Sequence, residues 1–271
     1  RLRWSASALT HFGRRPTRNT RPMVRTSILC LSLIAGFVFA LAAADAPLRT
    51  TAQPTDWPQW RGPDRDGMSP DTGLLKDWTV KAPRPLWTAD GMGRGFASIT
   101  SVGGRIYTTG NQATGQAVVC LQASDGKVLW TKNITETVPK HSYDGSRCSP
   151  SIDGERLYAI ASSGKIACLK LTDGSEIWSR DFKDWGGRMM SGWGFSESPL
   201  VDGDWLLCTP GAGSAMIVAL DKLTGKEVWK TAMPPAEGGG KDGAGYASIM
   251  VSSGGGVKQY VQLVGRGLIG V

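Results

Sequence analysis

The residues whose types suit binding chemistry gather in one long stretch, Asp181–Phe195, rich in Trp, Arg and Met. Trp185 or Trp193 could stack on a flat ring, and Arg188 could pair with the carboxylates of such a ligand. The alternative for the same stretch is a lid that packs over the opening of the fold. Catalytic chemistry is harder to find, and the catalytic residues stay unknown. Beyond residue 44 the chain has a single histidine, His141, which excludes a multi-histidine metal site there. It stands in Lys140-His141-Ser142-Tyr143-Asp144, but a nucleophilic triad is made by spatial geometry and not by adjacency, so a polar loop is expected. Cys120, Cys148, Cys168 and Cys208 form neither a C-x-x-C nor an adjacent pair, and buried free thiols are expected. Gly91-Met92-Gly93-Arg94-Gly95 opens no helical pattern and so reads poorly as a dinucleotide site. Thr224-Gly225-Lys226-Glu227 is a hairpin turn and not a phosphate loop. Glu197 and Asp144 offer carboxylates, yet no spacing marks them as cation ligands, and no metal site is assigned.

The elements that must position these residues are many and short. Gly is frequent (36) and so is Trp (11) in 271 residues, the composition of tight turns between short strands. The net charge of +8 does not describe the body of the chain. Seven arginines and no acidic residue lie in residues 1–44, leaving 24 basic and 23 acidic residues for the rest. A nucleic-acid surface is therefore not expected. Residues 1–22 read as non-native translation upstream of a start at Met23. Residues 23–44 have the order of a signal peptide: Arg25, an apolar run Ile28–Ala44, and small residues Ala42-Ala43-Ala44 before Asp45. Export to the periplasm or the exterior follows, with membrane contact only through this segment if it is left uncleaved.

Repeats dominate the remainder. Cys120–Trp130, Cys168–Trp178 and Ala219–Trp229 share one pattern, a small residue, Leu, then Gly126, Gly174 or Gly225, and a closing Trp130, Trp178 or Trp229. The Trp intervals are 48 and 51, and Trp87 lies 43 before Trp130. The openings repeat as well: Ser149-Pro150-Ser151-Ile152-Asp153-Gly154 parallels Ser198-Pro199-Leu200-Val201-Asp202-Gly203, with looser copies at Ala97 and Ala247. The middle copy predicts four strands, at Ser149–Ile152, Arg156–Ala161, Lys165–Leu169 and Glu176–Arg180. Asp153-Gly154, Ser163-Gly164 and Asp173-Gly174 supply the turns, because Gly accepts the positive φ they need. Four antiparallel strands in about 45–50 residues, repeated in tandem, describe a β-propeller blade. The recurring Trp would be the apolar plate each blade offers its neighbour.

This pattern resembles the PQQ-type repeat family, which includes quinoprotein alcohol dehydrogenases and an outer-membrane assembly lipoprotein. Asp56-Trp57-Pro58-Gln59-Trp60-Arg61-Gly62-Pro63-Asp64-Arg65-Asp66-Gly67 resembles the opening of secreted bacterial members, some of them labelled polyvinyl-alcohol dehydrogenases. The resemblance implies an all-β propeller of seven or eight four-stranded blades, of which about three full and some partial ones lie here. Residues 45–85 would be a lead-in segment and 86–271 propeller repeats, C-terminally truncated. Leu86-Trp87-Thr88 would be the outer strand of a blade completed from elsewhere. The function implied is an exported binding or scaffold protein of the cell envelope, with an envelope protein or a small ligand at the channel face. The alternative is a PQQ- and calcium-dependent alcohol dehydrogenase, with Trp185, Arg188 and Trp193 around the quinone. The lack of an adjacent cysteine pair and of a recognisable calcium constellation weighs against it. A carbohydrate-binding module is a third reading, resting on Trp that look exposed.

Overall fold

The computed structural model describes residues 53, 55–235 and 239–271. The signal segment at 23–44 and the stretch before it lie outside the described residues. Four antiparallel sheets follow one another along the chain. The first holds β1 (Thr100–Val102), β2 (Arg105–Asn111), β3 (Gln116–Gln122) and β4 (Val128–Asn133). The second holds β5 (Ser151–Asp153), β6 (Arg156–Ile160), β7 (Lys165–Lys170) and β8 (Glu176–Asp181). The third holds β9 (Leu200–Asp202), β10 (Trp205–Cys208), β11 (Ile217–Asp221) and β12 (Glu227–Thr231). The fourth has three strands, β13 (Met250–Ser252), β14 (Gln259–Val264) and β15 (Gly267–Gly270). Each sheet is a meander in strand order, the arrangement of a propeller blade. The short strands β1, β5 and β9 approach one another and so line the axis.

The repeated motif has a local and a between-blade consequence. Locally, the small residue that opens it sits directly across the ladder from the Trp that closes it: Cys120 faces Trp130, Cys168 faces Trp178 and Ala219 faces Trp229. The ladder then slips by one residue at the same point in all three blades, between Cys120 and Leu121, Cys168 and Leu169, and Ala219 and Leu220. This bulge turns the outer strand and aims the Trp sideways.

Between blades, that Trp lands on the turn glycine of the next blade. Gly174 and Gly225 have φ of 72° and 70°, where an L side chain is strained. A Cβ at Gly174 would lie 2.7 Å from Cε3 of Trp130, and one at Gly225 would lie 2.6 Å from Cε3 of Trp178. Trp87 covers Gly126 in the same way and donates its Nε1–H to the Ala123 carbonyl at 2.9 Å. Residues 86–88 nevertheless form no strand. Among the described residues no strand lies beside them, so the plate is in place without the ladder that the repeat predicts.

A buried apolar cluster runs through the first three blades and includes Val118, Leu157, Ile166, Leu169, Leu206 and Val218. A second cluster joins the third and fourth blades. The lead-in segment crosses the axis and pins three blades. Trp57 exchanges two backbone hydrogen bonds with Ser101 of β1, and the Pro58 carbonyl accepts from the Ile152 N–H of β5. Arg65 is 3% exposed and donates to the carbonyls of Ser198 and Pro199 at 2.8 and 3.1 Å, just before β9. Its φ of 57° is unusual for a residue with a side chain, and these anchors hold it there.

Candidate functional site at the propeller axis

The segments that enter β1, β5, β9 and β13 are extended, so alternate residues share a face. In all four blades that face looks into one cavity of about 410 Å³. Its inner tier is Ser98, Ser149, Ser198 and Ser248, one from each blade, and its outer tier two residues earlier is Phe96, Arg147, Ser196 and Tyr246. Trp60 from the lead-in segment and Trp193 from the long connection complete the wall.

The inner tier is a hydrogen-bonded chain across blades. Ser98 N–H donates to Ser149 Oγ at 3.1 Å, Ser149 N–H to Ser198 Oγ at 3.0 Å, and Ser198 N–H to Ser248 Oγ at 2.9 Å. The hydroxyls of Ser149, Ser198 and Ser248 thus each accept from the preceding blade, which leaves their O–H free to donate elsewhere. Ser198 turns that hydrogen toward the buried Cys148 Sγ, and among the described residues the hydroxyls of Ser98, Ser149 and Ser248 find no acceptor for theirs.

Arg147 is the one cation in this wall. Its guanidinium donates to the carbonyls of Gly145 (3.0 Å) and Tyr143 and lies 5.8 Å from the Phe96 ring. Among the described residues it has no carboxylate partner. An arc of rings frames the mouth: Phe96 and Tyr143 have centroids 5.4 Å apart, Tyr143 and Trp193 6.4 Å, and Trp193 and Tyr246 5.4 Å. Phe96, Tyr143 and Trp193 remain more than half exposed.

Behind the inner tier sits a buried carboxyl. Glu197 occupies the position held by Ala97, Cys148 and Ala247 in the other blades, so its side chain points into the blade. It accepts from the Thr209 N–H at 2.7 Å, the Thr209 hydroxyl at 2.9 Å and Gln262 Nε2 at 3.1 Å. Burial pushes its pKa up to about 7, against those hydrogen bonds and the charge of Arg65. Burial likewise lowers Arg65 to about 10, offset in part by Glu197.

Of the three residues proposed from sequence to face a ligand, only Trp193 lines this cavity. Trp185 is 8% exposed and belongs to the core. Its Nε1–H donates to Glu227 Oε2 at 2.6 Å, Arg180 lies 5.0 Å from its ring centroid, and Phe182 meets it edge-on. Both its apolar area and its polar edge are taken up by neighbours, because η1 (Phe182–Trp185), a 3₁₀ turn capped by Asp181, folds it inward. Arg188 is also away from the cavity. Its guanidinium meets Asp242 at 3.4 Å, and its backbone ties Pro210 to Ala244, a clasp between the third and fourth blades. The serine tier, Phe96, Arg147 and Tyr246 were missed. Their sequence signal is the Ser spacing of 51, 49 and 50, which by itself gives only the phase of the repeat.

The remaining reactive types do not assemble. All four described cysteines are buried and free. Burial raises Cys120 to about 11 and Cys148 and Cys168 to about 12, which keeps them as inert thiols. His141 packs against Gly194, its Nε2 has no partner among the described residues, and burial lowers its pKa. Asp144 instead faces Arg94, at 3.9 Å. A calcium ion needs several oxygen ligands converging on one point. Among the described residues no three His, Cys, Asp or Glu converge, and Glu197 is already held by donors from its own blade (Thr209) and the next (Gln262 and Ile249). The described lining residues of the cavity include no carboxylate to serve as a calcium ligand.

The fold and its repeating axial tier define a β-propeller of PQQ-type blades. The model of the family described as outer membrane protein assembly factor BamB matches residues 76–181 and 162–263, and the chain belongs to that PQQ-type repeat family. It is 31% identical over 145 residues to the outer membrane protein assembly factor BamB of Xanthomonas campestris pv. campestris, a match covering 51% of this chain and 31% of that protein. The chain thus spans about a third of that relative's length. Among solved structures, the quinohemoprotein alcohol dehydrogenase ADHIIG of Pseudomonas putida HK5 aligns with a TM-score of 0.55 at 17% identity, over 79% of this chain and 35% of that one. The quinohemoprotein alcohol dehydrogenase of Comamonas testosteroni aligns with a TM-score of 0.57 at 16% identity, over 77% and 35%. At such identities the likeness is one of fold.

Proposed function

We propose that this protein is a non-catalytic binding scaffold of the cell envelope, exported by its 23–44 segment, that meets an envelope protein across the aromatic rim of its axial mouth. One observation carries the reading. The polar groups at the mouth are the Arg147 guanidinium and a tier of hydroxyls and peptide groups wired from blade to blade, with no acid–base pair or metal-ligand set among the described residues. Such a wall is rigid and suited to binding. The half-exposed rings of Phe96, Tyr143 and Trp193 are the side chains that anchor protein interfaces. The name of the X. campestris relative, an assembly factor for outer membrane proteins, supports a partner of that kind and a place in the periplasm beside the outer membrane.

A photo-crosslinking side chain placed at Tyr143, in the full-length exported protein, tests this. The expected product is a covalent adduct with an outer membrane protein or one of its assembly components, identified by mass spectrometry. No adduct at Tyr143, together with saturable, calcium-dependent quenching of tryptophan fluorescence by PQQ, would overturn the reading in favour of a quinoprotein dehydrogenase.

A further inference from the structure

We propose that the cavity beneath the rim is a binding site for an acidic sugar, a uronate residue of a polysaccharide. Three observations on the cavity converge. The first is its floor. The hydroxyls of Ser149, Ser198 and Ser248 spend a lone pair on the neighbouring blade's N–H; Ser198 gives its own hydrogen to Cys148 Sγ, while those of Ser149 and Ser248 have no acceptor among the described residues. A floor of donors recruits a ligand rich in acceptor oxygens.

The second is Arg147. Two of its five N–H donors are held by backbone carbonyls, which fixes the plane of the guanidinium, and no carboxylate among the described residues neutralises it. A fixed guanidinium without a counter-ion takes a carboxylate, and takes it bidentately.

The third observation separates a sugar from a flat conjugated anion. The rings around the mouth are tilted: Trp193 makes 34° with Tyr246 and 43° with Tyr143. Neighbouring rings of this arc present no parallel pair of faces to a planar ring system. A pyranose needs one aromatic face only, since its axial C–H bonds make one apolar side while its hydroxyls and carboxylate project from the edge. Trp193, half exposed and on the cavity wall, supplies that face. A cavity of about 410 Å³ has room for one or two such residues, and the open mouth lets the polymer continue outward.

The test is calorimetric titration of the full chain with trigalacturonate, with its carboxyl-reduced neutral counterpart, and with PQQ and benzoate. The expected result is saturable binding of trigalacturonate, at least tenfold tighter than the neutral trisaccharide. Arg147→Met and Trp193→Ala should each weaken it tenfold or more, and Arg147→Lys should recover part of the loss. Raising the salt from 50 to 500 mM should weaken binding to the unmodified chain, a readout independent of how well any variant folds. Equal affinity for the neutral sugar, no saturable heat at millimolar trigalacturonate, affinity indifferent to salt, or tighter binding of PQQ or benzoate would each overturn the proposal. Tighter PQQ binding would count against both readings; the other outcomes leave the Tyr143 adduct untouched, so they test the sugar separately from the partner on the rim.

Discussion

The interface between the second and third blades and the one between the first and second are built from the same parts, and they close differently. In the first case, Trp178 lies over Gly225 and beside Tyr158, with centroids 6.1 Å apart. Trp178 Nε1–H and the Tyr158 hydroxyl both donate to the Lys222 carbonyl at 3.1 Å. In the second case, Trp130 lies over Gly174 and beside Tyr107, with centroids 6.0 Å apart. There Trp130 Nε1 is buried without a partner among the described residues, and the Tyr107 hydroxyl lies beside Cys120 and Arg105 and reaches no carbonyl of the next blade. The repeat thus specifies the apolar half of the joint in both places, and the polar half is completed in only one. A buried donor left unpaired costs about 1–3 kcal/mol, so the two joints should differ in strength by that order.

The largest expected effect comes from removing the plates. Trp178→Ala should destabilise the chain by roughly 3–5 kcal/mol, the range for deleting a large aromatic residue from a core. Trp130→Ala should cost about 1–2 kcal/mol less, because it also removes an unpaired donor. Urea unfolding midpoints measure both, and equal losses would mean that the two joints are equivalent.

Next comes the buried carboxyl. Glu197 has its folded pKa raised to about 7 from 4.5, so the unfolded chain ionises first. Its contribution is fully present below about pH 4.5 and is lost as pH rises through about 7, by roughly 3 kcal/mol. His141, lowered by burial, acts in the opposite sense below its unfolded value of 6.5. The difference between the unmodified chain and Glu197→Gln therefore isolates the carboxyl. Its melting temperature should fall relative to the variant between pH 5 and 7.5, and parallel curves would remove the assignment.

A smaller effect is expected at the turns. Gly225→Ala places a methyl group at a positive φ and against Trp178, and should cost about 2 kcal/mol in the same urea assay. The smallest effect is also the sharpest comparison. Trp178→Phe keeps much of the ring and loses the hydrogen bond to Lys222, a cost of about 1 kcal/mol. Trp130→Phe loses no bond and should be neutral within a few tenths. If the two replacements behave alike, the polar difference between the joints is without consequence.

The fold was legible because each blade carries its own instructions. Asp173-Gly174 and its counterparts announce turns, and the small residue opposite each Trp is ten positions from it in every copy, so a sequence period reports a ladder contact. The site was legible only in part. Trp193 lines the cavity, but Trp185 and Arg188, its neighbours in one Trp- and Arg-rich stretch, do not. Composition marks a stretch as able to bind. Whether an indole faces out or in depends on the single capped turn that folds Trp185 onto Phe182 and Glu227, and on Asp242, which stands 54 residues away and neutralises Arg188.

The sequence by itself determined the blades: their strands, their turns, and the Trp that each hands to the next, because these depend on contacts within one repeat and its phase. Only the tertiary structure decided the axial mouth. Ser98, Ser149, Ser198 and Ser248 are ordinary residues about fifty positions apart, and no local property distinguishes them from other serines. They become a hydroxyl-lined floor because blade stacking brings four equivalent extended segments to one axis, where the N–H groups of Ser98, Ser149 and Ser198 must find a partner and each takes the next blade's hydroxyl.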